Sequence, residues 1–231
     1  MLRIAEIFES LQGEGERVGI PSVFVRTSGC NLRCRWCDTP YASWAPEGDR
    51  HAWDDLAANV LGREPRDVVL TGGEPMLLAE LMPLAHAVHE AGRTITIETA
   101  GTVLPPGFLP SRLPCDLMSI SPKLANSTPD GAWHDRHEAR RDATEVIETL
   151  VANYRHQLKF VIEQPGDVDD VAAWLRRFPM IAGDRVFLMA QATDALRLAE
   201  ITTWLQPLAE ERGWRVSPRL HVELWGDARG V

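Results

Sequence analysis

Short, nearly continuous apolar runs alternate along this chain with longer stretches in which apolar residues recur every three or four positions. The runs read as buried strands and the longer stretches as amphipathic helices. Six strands are predicted, at 22–26 (SVFVR), 67–70 (DVVL), 94–98 (TITIE), 117–120 (LMSI), 157–163 (QLKFVIE) and 185–189 (RVFLM). One helix is predicted over 51–61. A second covers 77–89, with Leu78, Leu81, Ala85 and Val88 on one face and a kink at Pro83. A third has Asp167 and Asp170 in its first turn and Val168, Val171, Leu175 and Phe178 toward the core. A fourth starts at Thr193 as its cap and runs through Leu196, Ile201, Leu205 and Leu208. His221 falls in a further short predicted strand. Residues 126–142 (NSTPDGAWHDRHEARRD) are polar and read as a surface insertion. Strands alternating with helices imply βαβ units and a parallel sheet. About six strands suggest an α/β fold with a partial parallel barrel, open at one side.

Composition narrows the partners. At 231 residues the chain fits one α/β domain, or at most two small ones, and a hydrophobic fraction of 45% supports a packed core. The net charge of −9 disfavours the electrostatic grip that nucleic-acid binders use, so no nucleic-acid partner is expected. There is no apolar run long enough to cross a membrane, and the opening MLRIAEIFES has no signal-like apolar segment. A small-molecule ligand and the reducing cytoplasm are the resulting expectations.

The unusual residues fall at the carboxyl ends of successive strands, where parallel sheets and barrels place ligands. The first strand leads to Cys30, Cys34 and Cys37, spaced C-x3-C-x2-C. Three thiolates this close can hold three corners of a cubic 4Fe–4S cluster and leave the fourth iron open. A zinc site would need a fourth ligand, for which Cys115 or His51 is available. A disulfide would leave an odd cysteine and require an oxidising compartment. Cys115 itself reads as a structural thiol. The second strand leads to Thr71-Gly72-Gly73-Glu74-Pro75, the third to Glu98-Thr99-Ala100-Gly101, the fourth to Ser121-Pro122-Lys123 and the sixth to Gln191-Ala192-Thr193-Asp194. Each has a bland alternative as a turn or a helix cap. Gly13, Gly15 and Gly19 miss the dinucleotide fingerprint by one residue and precede a strand, so that reading is rejected.

The triplet, with Trp36 before its last cysteine, resembles the signature of radical S-adenosylmethionine (SAM) enzymes, and TGGEP resembles their GGE motif. The resemblance implies a partial β/α barrel spanning residues 1–231 as a single domain. It also implies SAM held by Trp36, Cys37, Asp38, Gly73, Glu74, Ser121, Pro122, Lys123, Gln191, Ala192, Thr193 and Asp194. Phe8-Glu9-Ser10-Leu11-Gln12-Gly13-Glu14-Gly15, Arg26, Cys37-Asp38-Thr39 and the C-terminal PRLHVELWGDARGV are similar to one branch, the 7-carboxy-7-deazaguanine synthases of 7-deazapurine (queuosine) biosynthesis. That branch implies 6-carboxy-5,6,7,8-tetrahydropterin as substrate, radical ring contraction with loss of ammonia, and regenerated SAM. It implies Mg²⁺ held by Thr39. The substrate contacts implied are Leu11, Gln12, Gly13, Glu14, Arg26, Thr71, His221 and Val231. A flavodoxin or ferredoxin donor and a homodimer are implied too. Two alternatives stay open: a radical SAM activase that installs a glycyl radical on a partner protein, and a non-enzymatic metal-binding module.

Overall fold

A computed structural model describes residues 1–108, 112–226 and 228–231; Asp227 of the C-terminal motif lies outside them. In chain order the elements are β1 (Leu2–Leu11), β2 (Pro21–Thr27), α1 (Pro40–Ser43), β3 (Asp49–His51), α2 (Trp53–Leu61), β4 (Asp67–Gly72), α3 (Leu81–Glu90), β5 (Thr94–Thr99), β6 (Leu117–Ile120), α4 (His134–Arg141), α5 (Thr144–Asn153), β7 (His156–Ile162), α6 (Pro165–Leu175), β8 (Val186–Ala190), α7 (Ala195–Glu211), β9 (Arg215–Ser217) and α8 (Leu220–Trp225). All strands join one sheet in the order β3-β1-β2-β4-β5-β6-β7-β8-β9. From β2 onward every pairing is parallel, whereas β1 runs antiparallel to β2 and β3. The two end strands do not pair with each other, so the barrel is open, as the strand count suggests.

The six predicted strands are β2 and β4 to β8, and the sheet adds β1, β3 and β9. β1 escapes a period-two reading because its register shifts between Ile4 and Glu6. Such a bulge flips the parity of inward and outward positions. Leu2 and Ile4 enter the core before it, and Ile7 packs there after it. Phe8 then stacks on Phe24 at 5.0 Å on the opposite face.

Alternation along the strands assigns two different surfaces. Val23, Val25, Val68, Leu70, Ile95, Ile97, Met118, Ile120, Leu158, Phe160, Ile162 and Leu188 join the helices in one core. Each such fully buried side chain contributes about 1.5–3 kcal/mol. The intervening residues Arg26, Thr71, Glu98, Ser119, Lys159, Val161 and Met189 face a cavity. The register aligns Arg26 with Thr71, Glu98 with Ser119 and Val161 with Met189.

Several helix expectations are corrected. α3 begins at Leu81, which puts Pro83 in its first turn. No intrahelical donor is needed there, so no kink is required. Leu77 ends a separate turn, Pro75–Leu77. α2 begins at Trp53, and His51 pairs with Leu2 in β3. α6 buries Trp174 between Phe160 and Phe178, at ring distances of 5.2 and 4.3 Å. The cap of α7 is Asp194, which accepts from the Arg197 amide at 2.9 Å; Thr193 is not the cap. Leu196 is 86% exposed, and Leu198 takes its place in the core. His221 lies in α8 rather than in a strand. The stretch 126–142 is more than a surface insertion, because it forms α4 and buries Ser127 and His137.

Candidate active site

One cavity opens at the carboxyl ends of the parallel strands. Cys30, Cys34 and Cys37, from the loop after β2, line one wall. The loop is tightly tied. The Leu32 amide donates to Cys30 Sγ at 3.4 Å, the Cys37 amide to Cys34 O at 3.3 Å, and Trp44 Nε1 to Cys34 O at 2.9 Å. Cys37 Sγ lies 3.1 Å from Ser43 Oγ. The GGE turn braces this loop from behind. The Gly73 amide donates to Thr27 O and the Glu74 amide to Gly29 O, at 3.0 and 2.9 Å. A Cβ on Gly73 would stand 2.2 Å from Gly29 O, so only glycine permits this approach.

Burial first, with neighbouring thiols adding to it, pushes the Cys30 thiol up to about 11 and the Cys34 thiol up to about 12. Three thiolates are stable together here only with cations among them, which the irons of a cluster provide. A zinc site is less suited. Neither Cys115 nor His51 is on the cavity wall. Among the described residues no three His, Cys, Asp or Glu side chains are gathered closely enough to hold a single metal ion.

The same cavity carries buried charge. Lys159 of β7 donates to Glu14 Oε2 at 2.6 Å and to Glu98 Oε1 at 3.2 Å. Thr71 Oγ1 donates to Glu98 Oε2 at 2.9 Å, and Gln12 Nε2 to Glu98 Oε1 at 3.3 Å. Arg219 Nη2 reaches Asp38 Oδ2 at 3.0 Å, Arg219 Nη1 donates to Ala192 O at 2.6 Å, and its Nε lies 3.5 Å from Glu14 Oε1. Burial alone would raise the Glu14 carboxyl, but Lys159, Arg219 and His221 outweigh it and hold Glu14 below the usual carboxylate range. Burial opposes the Lys159 ammonium too, and Glu14 and Glu98 overcome it and raise the group. The wall is therefore a set of paired ions held ready for a polar ligand. Gly13 closes the corner beside His221, where a Cβ would lie 2.1 Å from Nδ1.

The radical SAM superfamily model matches residues 24–163. The 7-carboxy-7-deazaguanine synthase of Rhodopirellula baltica is 42% identical over 100% of this chain and 89% of its own length. The one of Halobacterium salinarum is 42% identical over 98% and 91%. This chain belongs to the 7-carboxy-7-deazaguanine synthase family of radical SAM proteins. The crystal structure of QueE from Escherichia coli shares the synthase family fold with a TM-score of 0.66 at 23% identity, covering 95% of this chain and 94% of that one.

Most residues singled out on the synthase family resemblance meet at this one cavity: Leu11, Gln12, Gly13, Glu14, Arg26, Trp36, Asp38, Thr39, Thr71, Gly73, Ser121, Lys123, Ala192, Thr193, His221 and Val231 join the three cysteines. Four do not. Glu74 is fully buried behind the wall. Its Oε1 accepts from Thr99 Oγ1 at 2.8 Å and from the Met76 amide at 3.1 Å, and its Oε2 accepts from the Ala100 amide at 2.9 Å. Pro122 is buried and does not line the cavity, although Ser121 and Lys123 on either side of it do. The Gln191 amide continues the sheet to Ile162 O, and Asp194 is occupied as a helix cap. Lys159 and Arg219 also line the cavity without having been singled out; their signal is a lone cation inside an apolar strand and the arginine within the C-terminal PRLH segment.

Proposed function

We propose that this chain converts 6-carboxy-5,6,7,8-tetrahydropterin to 7-carboxy-7-deazaguanine and ammonia. Substrate and product differ by one ammonia, so no net oxidant is consumed, in keeping with SAM as a regenerated cofactor. The observation that carries the proposal is a single cavity lined both by three thiols and by the Glu14–Lys159–Glu98 set. Held by the three cysteines, a 4Fe–4S cluster with an open iron would supply the electron that cleaves SAM to a 5′-deoxyadenosyl radical.

The residues of this chain bind and orient. Trp36, Asp38, Gly73, Ser121, Lys123, Ala192 and Thr193 flank the cysteines and are positioned to hold SAM. Lys123 Nζ donates to Ser121 Oγ at 2.7 Å and lies 5.3 Å from the centre of the Trp36 ring. Ionised Glu14 accepts from the guanidine-like edge of the pterin, and Gln12, Gly13, Leu11, Thr71 and His221 complete that pocket, with Val231 at its rim. Arg26 takes the substrate carboxylate. Its buried Nε lacks a hydrogen-bond partner among the described residues, and Glu6 is 3.9 Å away. Thr39 precedes α1 and makes no side-chain cap bond; its hydroxyl, 3.8 Å from Cys37 Sγ, is the ligand for Mg²⁺ on this reading. Glu74, Pro122, Gln191 and Asp194 act only by shaping these loops. The same reading makes residues 1–231 one catalytic domain, cytoplasmic and homodimeric, reduced by a flavodoxin or ferredoxin. No helix among the described residues is long and apolar enough to cross a membrane.

The test is an anaerobic assay of the reconstituted protein with SAM, Mg²⁺, a reductant and the carboxylated pterin, read by mass spectrometry. The expected product is 7-carboxy-7-deazaguanine. Release of 5′-deoxyadenosine without it would overturn the substrate. Neither species from an intact cluster would overturn the enzyme reading.

A further inference from the structure

The stretch 126–142, polar in sequence, sends one histidine inward against the cysteine loop. His137 of α4 is 1% exposed. The Arg33 amide donates to its Nδ1 at 3.2 Å. A main-chain N–H can only donate, so Nδ1 carries no proton and the ring proton sits on Nε2. Nε2 faces Ser127 Oγ at 2.9 Å, and that buried hydroxyl donates onward to Leu124 O at 2.6 Å. The three bonds have one direction and end on a main-chain carbonyl. Both ring nitrogens are used, and the imidazole is locked as a single neutral tautomer. Burial favours the same neutral form, drawing His137 down to about 4.

Arg33 is the last residue of the C-x3-C span, directly before Cys34. Its guanidinium is tied as well, donating to Cys30 O at 2.8 Å and Leu32 O at 2.7 Å and lying over the Trp133 ring at 4.4 Å. On the other side of Cys34, the Arg35 amide donates to Ser127 O at 3.0 Å. The two residues that flank Cys34 are thus anchored to the same stretch. The Arg33 N–H is also withheld from cluster sulfurs. Hydrogen bonds to those sulfurs are among the factors that set the reduction potential, and stabilising the more negative reduced state makes it less negative.

We infer that His137 is a positioning residue for the cysteine loop, holding the Arg33 amide away from the cluster and fixing Cys34 between two main-chain anchors. The inference rests on the reading of the three cysteines as cluster ligands. It assigns to the 126–142 stretch a task in tuning the electron source.

The experiment compares His137→Leu and His137→Gln in the reconstituted holoenzyme. Hydrogen exchange at Arg33 and the cluster midpoint potential from electron paramagnetic resonance are measured, with iron content and thermal unfolding as controls. His137→Leu is expected to exchange at Arg33 about fivefold or more faster, the scale of one lost hydrogen bond. Its potential is expected to be less negative. His137→Gln, whose amide oxygen can accept from Arg33, is expected to restore both. Unchanged exchange and potential in His137→Leu would overturn the inference. So would equal defects in both variants with a matching loss of thermal stability, which is the mark of a packing role alone. If His137→Leu does not fold, Ser127→Ala keeps the ring and releases Nε2; the same shifts in smaller size support the inference, and wild-type values overturn it. A wild-type protein that takes up no 4Fe–4S cluster would instead remove the cluster reading beneath it.

Discussion

Lys159→Ala isolates the central ion set. The Lys159 side chain is 5% exposed, and its partners Glu14 and Glu98 are 13% and 22% exposed. Without the ammonium, two poorly solvated carboxylates share a wall and lose their common cation. Removing one partner from a buried pair costs about 3–5 kcal/mol. Arg219 stays 3.5 Å from Glu14, and Gln12 and Thr71 still donate to Glu98, so the lower end, about 3 kcal/mol, applies. For a chain of this size that is about 6–12 °C in Tm. The sign with pH follows from Glu14. Its depressed folded value means that its stabilising contribution is present above its unfolded pKa of about 4.3 and is lost as pH falls through the folded value. Lys159 has a raised value, so its contribution persists below its unfolded pKa of about 10.4 and is lost only above that. In the variant, burial acts on Glu14 with less opposition, and the group takes up a proton more readily. The Tm deficit relative to wild type should therefore shrink as the pH is lowered from about 7.5 to about 4.5, near the unfolded pKa. Thermal unfolding by circular dichroism at both values measures it. Lys159→Met, which keeps most of the stem volume, should show the same deficit and separates charge from packing. A deficit below about 2 °C, or one independent of pH, would refute the reasoning.

Three further outcomes are expected. Arg26→Ala should lose about 1.5–3 kcal/mol of carboxylate binding, seen as an about ten- to hundredfold drop in kcat/KM while SAM cleavage without substrate is retained; Glu6 keeps Arg229 at 2.7 Å, so folding should survive. Thr39→Ala should abolish most of the Mg²⁺ stimulation of turnover, and a full Mg²⁺ response in the variant would show that its hydroxyl is not the ligand. Gly13→Ala forces a methyl group against His221 and should abolish turnover, whereas the Gly13→Ala, His221→Ala double variant should regain part of it; a double variant no better than the single one would show that the clash is not the cause.

The strands that carry the cavity were legible because β2 and β4 to β8 are apolar runs ending in unusual residues. The gathering of Cys30, Cys34 and Cys37 on one cavity was legible from their spacing, which is local. Lys159 was not, because its meaning depends on which residues the register sets beside it: Glu98 lies two strands away, and Glu14 comes from a loop that precedes the sheet's parallel half. His221 was read as a strand residue because LHVEL alternates as well as it turns. The polarity of 126–142 hid Ser127 and His137, whose partners are the main-chain atoms of other segments and leave no compositional trace. Glu74 shows the converse case: its motif borders the cavity through Gly72 and Gly73, and its own side chain is buried among Thr99, Ala100 and Met76.

The alternation within β6 to β8 has a consequence for descent. Neighbouring codons in one strand answer to different selective pressures: Leu158, Phe160 and Leu188 are constrained by the shared core, while Ser119, Val161 and Met189 are constrained by whatever occupies the cavity. A lineage can thus retool its substrate by changing every second residue of a few strands and inherit the scaffold unaltered.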